Sequence, residues 1–195
     1  HHDKPIPGES EAYRQARDEL LTAEIELRRQ TEAVAQMRRE LPAGGKLPQH
    51  YVFDDVSGGQ VSFSELFAEG KDSLIVYSFM YGLDWDNPCP ACTSLADGFN
   101  GFNHHVTAKV NFAVVAKAGK DKLAALAQQR GWDNFRFLSS LNNSYNEDYH
   151  AGSADGSEQL PLINVFVRRQ DGIYHHWASE LLWATCDPGQ QTRHV

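Results

Sequence analysis

Cys89 and Cys92 stand three apart in "GLDWDNPCPAC", with Pro90 and Ala91 between them. Two thiols at this spacing suit a redox dithiol, half of a zinc site, or a pair of incidental buried thiols. The flanking residues help to choose. Before the motif runs "SLIVYSFMY", too apolar for a strand with one wet face and suited to a buried central one. After it comes "TSLADGFNGFNHHV", which reads as a helix that Gly98 and Gly101 weaken. A helix opening at Pro90 would aim its unpaired N–H groups and positive dipole end at the Cys89 sulfur, favouring thiolate over thiol. Proline suits that first position, since the N–H it lacks would have no partner there. Cys92, one turn on, is then placed to attack a mixed disulfide formed at Cys89.

The alternatives have less behind them. A structural zinc site takes four ligands, usually as two pairs. Here Cys186 is alone, and His104–His105 follow without H-x₃₋₅-H spacing. No metal is expected, although zinc and incidental thiols both stay open. A peroxidase motif of the form P-x-x-x-T/S-x-x-C, laid on Cys92, meets Trp85 where proline belongs and Cys89 where threonine belongs. The redox reading leads, because strand, loop, C-x-x-C and helix in an α/β chain is the order dithiol chemistry needs. It has Cys89 attacking and Cys92 resolving, and needs no bound cofactor, since electrons pass through the pair.

Around these residues, Asp84, Trp85 and Asp86 form the loop that leads in. Trp85 covers the cysteines, walls a substrate site or anchors the loop. The two carboxylates oppose the helix end by disfavouring a nearby thiolate. They belong to a wider asymmetry. Lys and Arg number 18 and Asp and Glu 26, for a net charge of −8. Residues 51–100 hold eight of the acidic side chains and one basic one, Lys71, and no Lys or Arg occurs from 72 to 108. Nucleic acid is therefore disfavoured as a partner, because phosphate binding needs a basic footprint. The same surface should disfavour anionic partners and favour neutral or cationic ones. No apolar run reaches the roughly 20 residues of a membrane span. Three cysteines are too few for a disulfide scaffold, which points to a reducing, cytoplasmic setting.

The elements that must position the motif can be read along the chain. Residues 1–8 are a lead with no fold signal. Residues 9–41 read as one long helix, with apolar side chains at Tyr13, Ala16, Leu20, Ala23, Leu27, Val34, Met37 and Leu41, and polar Gln30 in one slot. Ser10 suits its start, and Pro42 with Gly44–Gly45 its end. Leaving that stripe in water is costly, so deleting the helix should cause aggregation or lose an oligomer; a homodimer is one such oligomer. Residues 50–180 then alternate strands and helices, the pattern of one α/β domain with a mixed sheet. A hairpin turns at Ser57–Gly58–Gly59, "VNFAVVAKA" and "FRFLSS" are strands, "KDKLAALAQQRG" is a helix closed by Gly131, and "LPLINVFVRR" and "IYHHWAS" pair around "QDG". Asn142, Asn143, Asn146 and Asp148 read as turn formers. Residues 181–195 read as an irregular tail, in which Cys186 has no expected role.

"YVFDD", "VSFSELF", "LIVYSFMYGLDWDNPCPACTSLADGFNG", "LINVFVRRQDGIYHHW" and "DPGQQTRHV" together resemble domain-of-unknown-function family 899, thioredoxin-like proteins described as dithiol-disulfide oxidoreductases. The resemblance runs from about residue 10 onward, and "GLDWDNPCPAC" is its most specific part. It implies a thioredoxin-like fold with an added leading helix, Cys89 and Cys92 as the reactive pair, and a protein or small-molecule thiol or disulfide as substrate. Thioredoxin folds also place a cis-proline before a strand opposite the pair. Pro161 in "EQLPLINVFV" stands where it should be, and is expected in the cis form to orient substrate. The competing class is a non-catalytic thioredoxin-like scaffold, dimeric through the long helix.

Overall fold

The structure, a computed structural model, describes residues 2–184. The chain divides after Pro42 into two units. The first holds helix α1, Glu11–Arg39. Ser10 is extended and its hydroxyl accepts the Tyr13 N–H at 3.2 Å, satisfying one of the helix's unpaired donors. Arg38 and Arg39 in the last turn suit the negative end of the dipole. No residue of α1 is buried; Leu20, Leu27 and Met37 expose 59%, 68% and 68%. The second unit carries its own core. Deleting residues 1–42 is therefore expected to leave it folded, with the loss falling on self-association. Sedimentation and urea unfolding of the two lengths check this, and a truncated chain without a cooperative transition would refute it.

The second unit is built on one seven-stranded sheet. Its strands are β1 Val52–Asp55, β2 Gln60–Ser62, β3 Ser73–Ser78, β4 Asn111–Ala116, β5 Arg136–Ser139, β6 Ile163–Arg169 and β7 Gly172–Ala178. Their spatial order is β2-β1-β5-β4-β3-β6-β7. β3, β4 and β5 run parallel, and β1, β6 and β7 add antiparallel partners. The parallel strands are joined by α2, Pro90–Thr107, and α3, Lys120–Arg130. Both faces of β3 and β4 are covered, which is why "SLIVYS" and "NFAVVA" are apolar without alternation: Leu74, Val76 and Tyr77 are 0% exposed. One face packs on Tyr51, Phe53, Phe63, Tyr145 and Phe166, the other on Tyr77, Phe79, Leu123, Trp132 and Phe137. The outer edge of β7 is covered by residues 44–47, where Gly44 and Leu47 N–H groups bond the carbonyls of His175 and Ile173.

Most expected elements are present, and two details differ. α2 runs for 18 residues through both glycines. Gly98 and Gly101 lie on its exposed side, while Cys92, Ala96 and Asn103 are buried, so packing outweighs the glycine cost of about 1 kcal/mol each. The polar stretch 141–159 is not all loop: α4, Tyr145–Asp148, makes one turn and buries Tyr145 and Asn146. Gly131 ends α3 in the left-handed conformation, φ 67°, as its position predicts. The tail beyond residue 184, with Cys186, lies outside the described residues.

Candidate functional site

Cys89 and Cys92 sit where β3 leaves the sheet and α2 begins. Backbone bonds hold the last residue of β3 and carry its line one residue further: Ser78 N–H to Leu162 O at 2.8 Å, and Phe79 N–H to Val115 O at 2.7 Å. The chain then loops out and returns, and the Cys89 N–H bonds the Met80 carbonyl at 3.0 Å. Cys89 is the N-cap residue of α2 and Pro90 occupies its first turn. The Cys89 carbonyl accepts both the Thr93 N–H and the Thr93 hydroxyl at 2.9 Å, which fixes the cap.

The two thiols have different surroundings. Cys89 is half-buried, and Cys92 is 1% exposed. Burial pushes the Cys92 thiol up to about 11, partly offset by hydrogen bonds from the Tyr77 hydroxyl and the Met80 N–H; the neighbouring Cys89 thiol adds to the rise. Cys92 is therefore a thiol at neutral pH.

The lead-in loop is held from two sides. Gln159 is 8% exposed; its Oε1 accepts the Tyr81 N–H at 2.9 Å and its Nε2 donates to the Gly156 carbonyl at 3.1 Å. From α3, the Lys122 ammonium donates to the carbonyls of Gly82 at 3.3 Å, Leu83 at 3.0 Å and Trp85, and lies 4.4 Å from the Tyr81 ring centroid. Trp85 is half-buried against the cluster that includes Cys92. Asp84 and Asp86 are exposed. A count along residues 72–108 finds no cation, but the fold brings Lys122 to this loop, so the acidic segment is partly neutralised. Gly82 is required by close approach: an added Cβ would lie 2.7 Å from Gln159 Nε2 and 2.8 Å from the Trp85 ring. Gly82→Ala should therefore cost about 1–3 kcal/mol by overpacking and displace Trp85. Urea unfolding and indole fluorescence read this; a variant with unchanged midpoint and spectrum would refute it.

Pro161 is half-buried, and its expected cis bond is a correction: no peptide bond among the described residues is cis. The chain enters β6 there by other means. Leu160 N–H bonds the Ala151 carbonyl at 2.9 Å, and the Leu162 carbonyl takes the Ser78 N–H. Beside the motif, Met80, Trp85, Gln159 and Leu160 line an open cleft of about 820 Å³, together with Glu147, His150 and Trp183. Glu147 of this lining is paired with the buried Lys117 at 2.7 Å.

Gln159, Lys117, Lys122, Glu147, His150 and Trp183 were not found as site residues in the sequence. Only the burial of Gln159 and of Lys117, both unusual for their type, marks them out, and burial is a property of the fold. Asn143 does form a turn, its Oδ1 accepting the Tyr145 N–H at 3.0 Å. His175 is half-buried against Tyr149 and Phe166 and bonds Asn164 at 2.9 Å. Among the described residues no three His, Cys, Asp or Glu side chains are grouped to hold a metal ion, and no helix is long and apolar enough to cross a membrane.

The family model described as "Bacterial protein of unknown function (DUF899)" matches residues 2–187. The chain belongs to this family. Among solved structures it is similar to a peroxiredoxin-like protein from Aquifex aeolicus, with 14% identity over 72% of this chain and 76% of that one and a TM-score of 0.53. It is also similar to an uncharacterized conserved protein from Geobacillus kaustophilus, at 14% identity over 77% and 74% with a TM-score of 0.52. A third is the bacterioferritin comigratory protein of Xanthomonas campestris, at 13% identity over 70% and 86% with a TM-score of 0.52. No curated protein matches the chain. At these identities the likeness shows the fold, which is thioredoxin-like.

Proposed function

We propose that the chain carries out thiol–disulfide exchange through Cys89 and Cys92, as a reductase or isomerase. The observation that carries this reading is the unequal placement of the two sulfurs: a half-exposed Cys89 capping α2 and a buried Cys92 one turn on. Cys89 attacks a disulfide, one substrate thiolate leaves, and a mixed disulfide forms. Cys92 gives up its proton and attacks the Cys89 sulfur, and the second substrate thiolate leaves. The protein ends oxidised and the substrate gains two electrons. Pro161, at the entry of β6, is read as orienting the substrate backbone, and Trp85 as walling the site. Peroxide chemistry at Cys92 is not favoured, because a peroxidatic sulfur must be a thiolate and this one is buried as a thiol.

Titration of accessible thiols tests the reading. The reduced protein should lose two thiols on treatment with a small disulfide and regain both with a mild reductant, and Cys89→Ser should do neither. A wild-type protein whose thiols do not cycle would support the scaffold class, which the exposed stripe of α1 favours, with a second copy of the chain as its first expected partner.

A further inference from the structure

We propose that the cleft beside Cys89 is a subsite for the leaving thiol of a low-molecular-weight disulfide that carries an apolar body and a positive charge. This rests on the thiol-exchange reading above. The cleft is lined by Met80, whose carbonyl holds the Cys89 N–H, and by Trp85 of the lead-in loop, and in this proposal it receives the leaving half of a disulfide attacked by Cys89. At about 820 Å³ it falls in the range of small-molecule sites, roughly 300–1,000 Å³. Trp85, Met80, Leu160 and Trp183 supply its apolar walls, and indole faces attract cations through the ring quadrupole.

Charge selects among apolar ligands. Glu147 and Glu158 line the cleft, Asp84 and Asp86 are exposed on either side of lining residue Trp85, and Asp155 is bonded to lining residues Ser153 and Ser157. Hydrogen bonds from those two serines hold the Asp155 carboxyl down to about 2, so it stays ionised. Of the cations among the described residues, Lys117 bonds one of these carboxylates and Lys122 holds the loop that carries two others, and both are engaged. Lys117 is paired with Glu147, and Lys122 is bound to the loop carbonyls. Glu158 takes part in no ion pair among the described residues. An incoming ligand therefore meets surplus negative charge, which favours a cationic arm and repels a carboxylate.

In the exchange, Cys89 and the near sulfur of R–S–S–R form a new bond as the old S–S bond breaks. The leaving RS⁻, in the cleft, takes a proton from water. Cys92 then closes on Cys89 and releases the second RS⁻. The test uses the reduced full-length protein with three disulfides of similar length: cystamine, 2-hydroxyethyl disulfide and 3,3′-dithiodipropionate. Each rate is divided by that of N-acetylcysteinamide with the same reagent, which removes intrinsic differences between leaving groups.

The expected result is a normalised preference of tenfold or more for cystamine over dithiodipropionate at low salt, shrinking as salt is added. Glu158→Gln with Asp84→Asn and Asp86→Asn, all exposed side chains, should reduce it at least threefold, and Trp183→Ala should reduce it through the lost indole. Equal normalised rates, or a preference for the anion, would overturn the subsite while leaving thiol exchange standing. So would oxidised peptides that react far faster than cystamine, since they would make the occupant a polypeptide. A protein that exchanges with none of these disulfides loses the thiol reading and the subsite together.

Discussion

In the native protein at pH 7, iodoacetamide should label Cys89 and leave Cys92 untouched until the chain is unfolded. Ionisation and access both hold Cys92 back. With its pKa at about 11, Cys92 is ionised in about one molecule in ten thousand at pH 7, against about one in a hundred for a thiol at the reference value of 9.0. Since the thiolate is the nucleophile, this lowers the reactive fraction of Cys92 about 100-fold below that reference; the greater nucleophilicity of a more basic thiolate offsets part of it, and 1% exposure slows labelling further. The sign of the pH dependence follows. Burial disfavours the charged form, so Cys92 labelling should rise about tenfold per unit above pH 9 and level off only near 11. In urea the rise should shift back toward the reference value. The same asymmetry gives a trapping experiment. Cys92→Ser should accumulate a stable mixed disulfide at Cys89, while Cys89→Ser should form none. Mass spectrometry of the native, alkylated protein decides: Cys92 labelled before Cys89 would reverse the assigned roles.

The motif's immediate surroundings were legible in the sequence because they follow from short-range rules. A nine-residue run with seven apolar side chains before a C-x-x-C can be covered on both faces only inside a sheet, and β3 is such a strand. Pro90 after a capping residue is a helix start wherever the chain goes afterwards. The doubt over Gly98 and Gly101 came from weighing propensity without knowing which side of α2 faces the core. Long-range pairing was the illegible part. The reading of residues 51–100 as an uncompensated acidic segment treated charge as a property of chain position. Lys122 is 37 residues from Trp85 in sequence and bonds its carbonyl. Likewise "LNNSYNEDYHAGSADGSEQ" has the composition of a solvated loop, yet Tyr145, Asn146 and Gln159 are buried in it. The Asn146 and Gln159 amides find their partners only in the fold, as Gln159 does in Tyr81, 78 residues away. The cis form expected of Pro161 came from family likeness alone, and its immediate sequence carries no signal for it.

Removing Glu147 should cost far more stability than removing its partner Lys117. The two form an ion pair at 2.7 Å through which Glu147, a lining residue of the cleft, meets Lys117, and they are unequally buried: the Lys117 side chain is 6% exposed and that of Glu147 28%. Glu147→Gln leaves a charged ammonium out of water, held by the Asn143 carbonyl at 3.0 Å and a neutral amide. Breaking a fully buried pair this way costs about 3–5 kcal/mol, and the partial exposure of Glu147 brings the expectation down to about 2–3. For a chain of this size that is a fall in Tm of about 4–12 °C, at roughly 2–4 °C per kcal/mol. Lys117→Met fills the lysine stem's space and leaves a carboxylate that already reaches solvent, so about 1 kcal/mol is expected. In the double variant nothing charged is left buried. It should therefore unfold within about 1 kcal/mol of Lys117→Met alone, recovering most of the Glu147→Gln loss, with the difference read as a coupling energy in a double-mutant cycle. Thermal and urea unfolding of the four proteins measure all three numbers. Equal losses in the two single variants, or a double variant as unstable as Glu147→Gln, would mean that Glu147 holds the cleft wall by packing and not by neutralising Lys117.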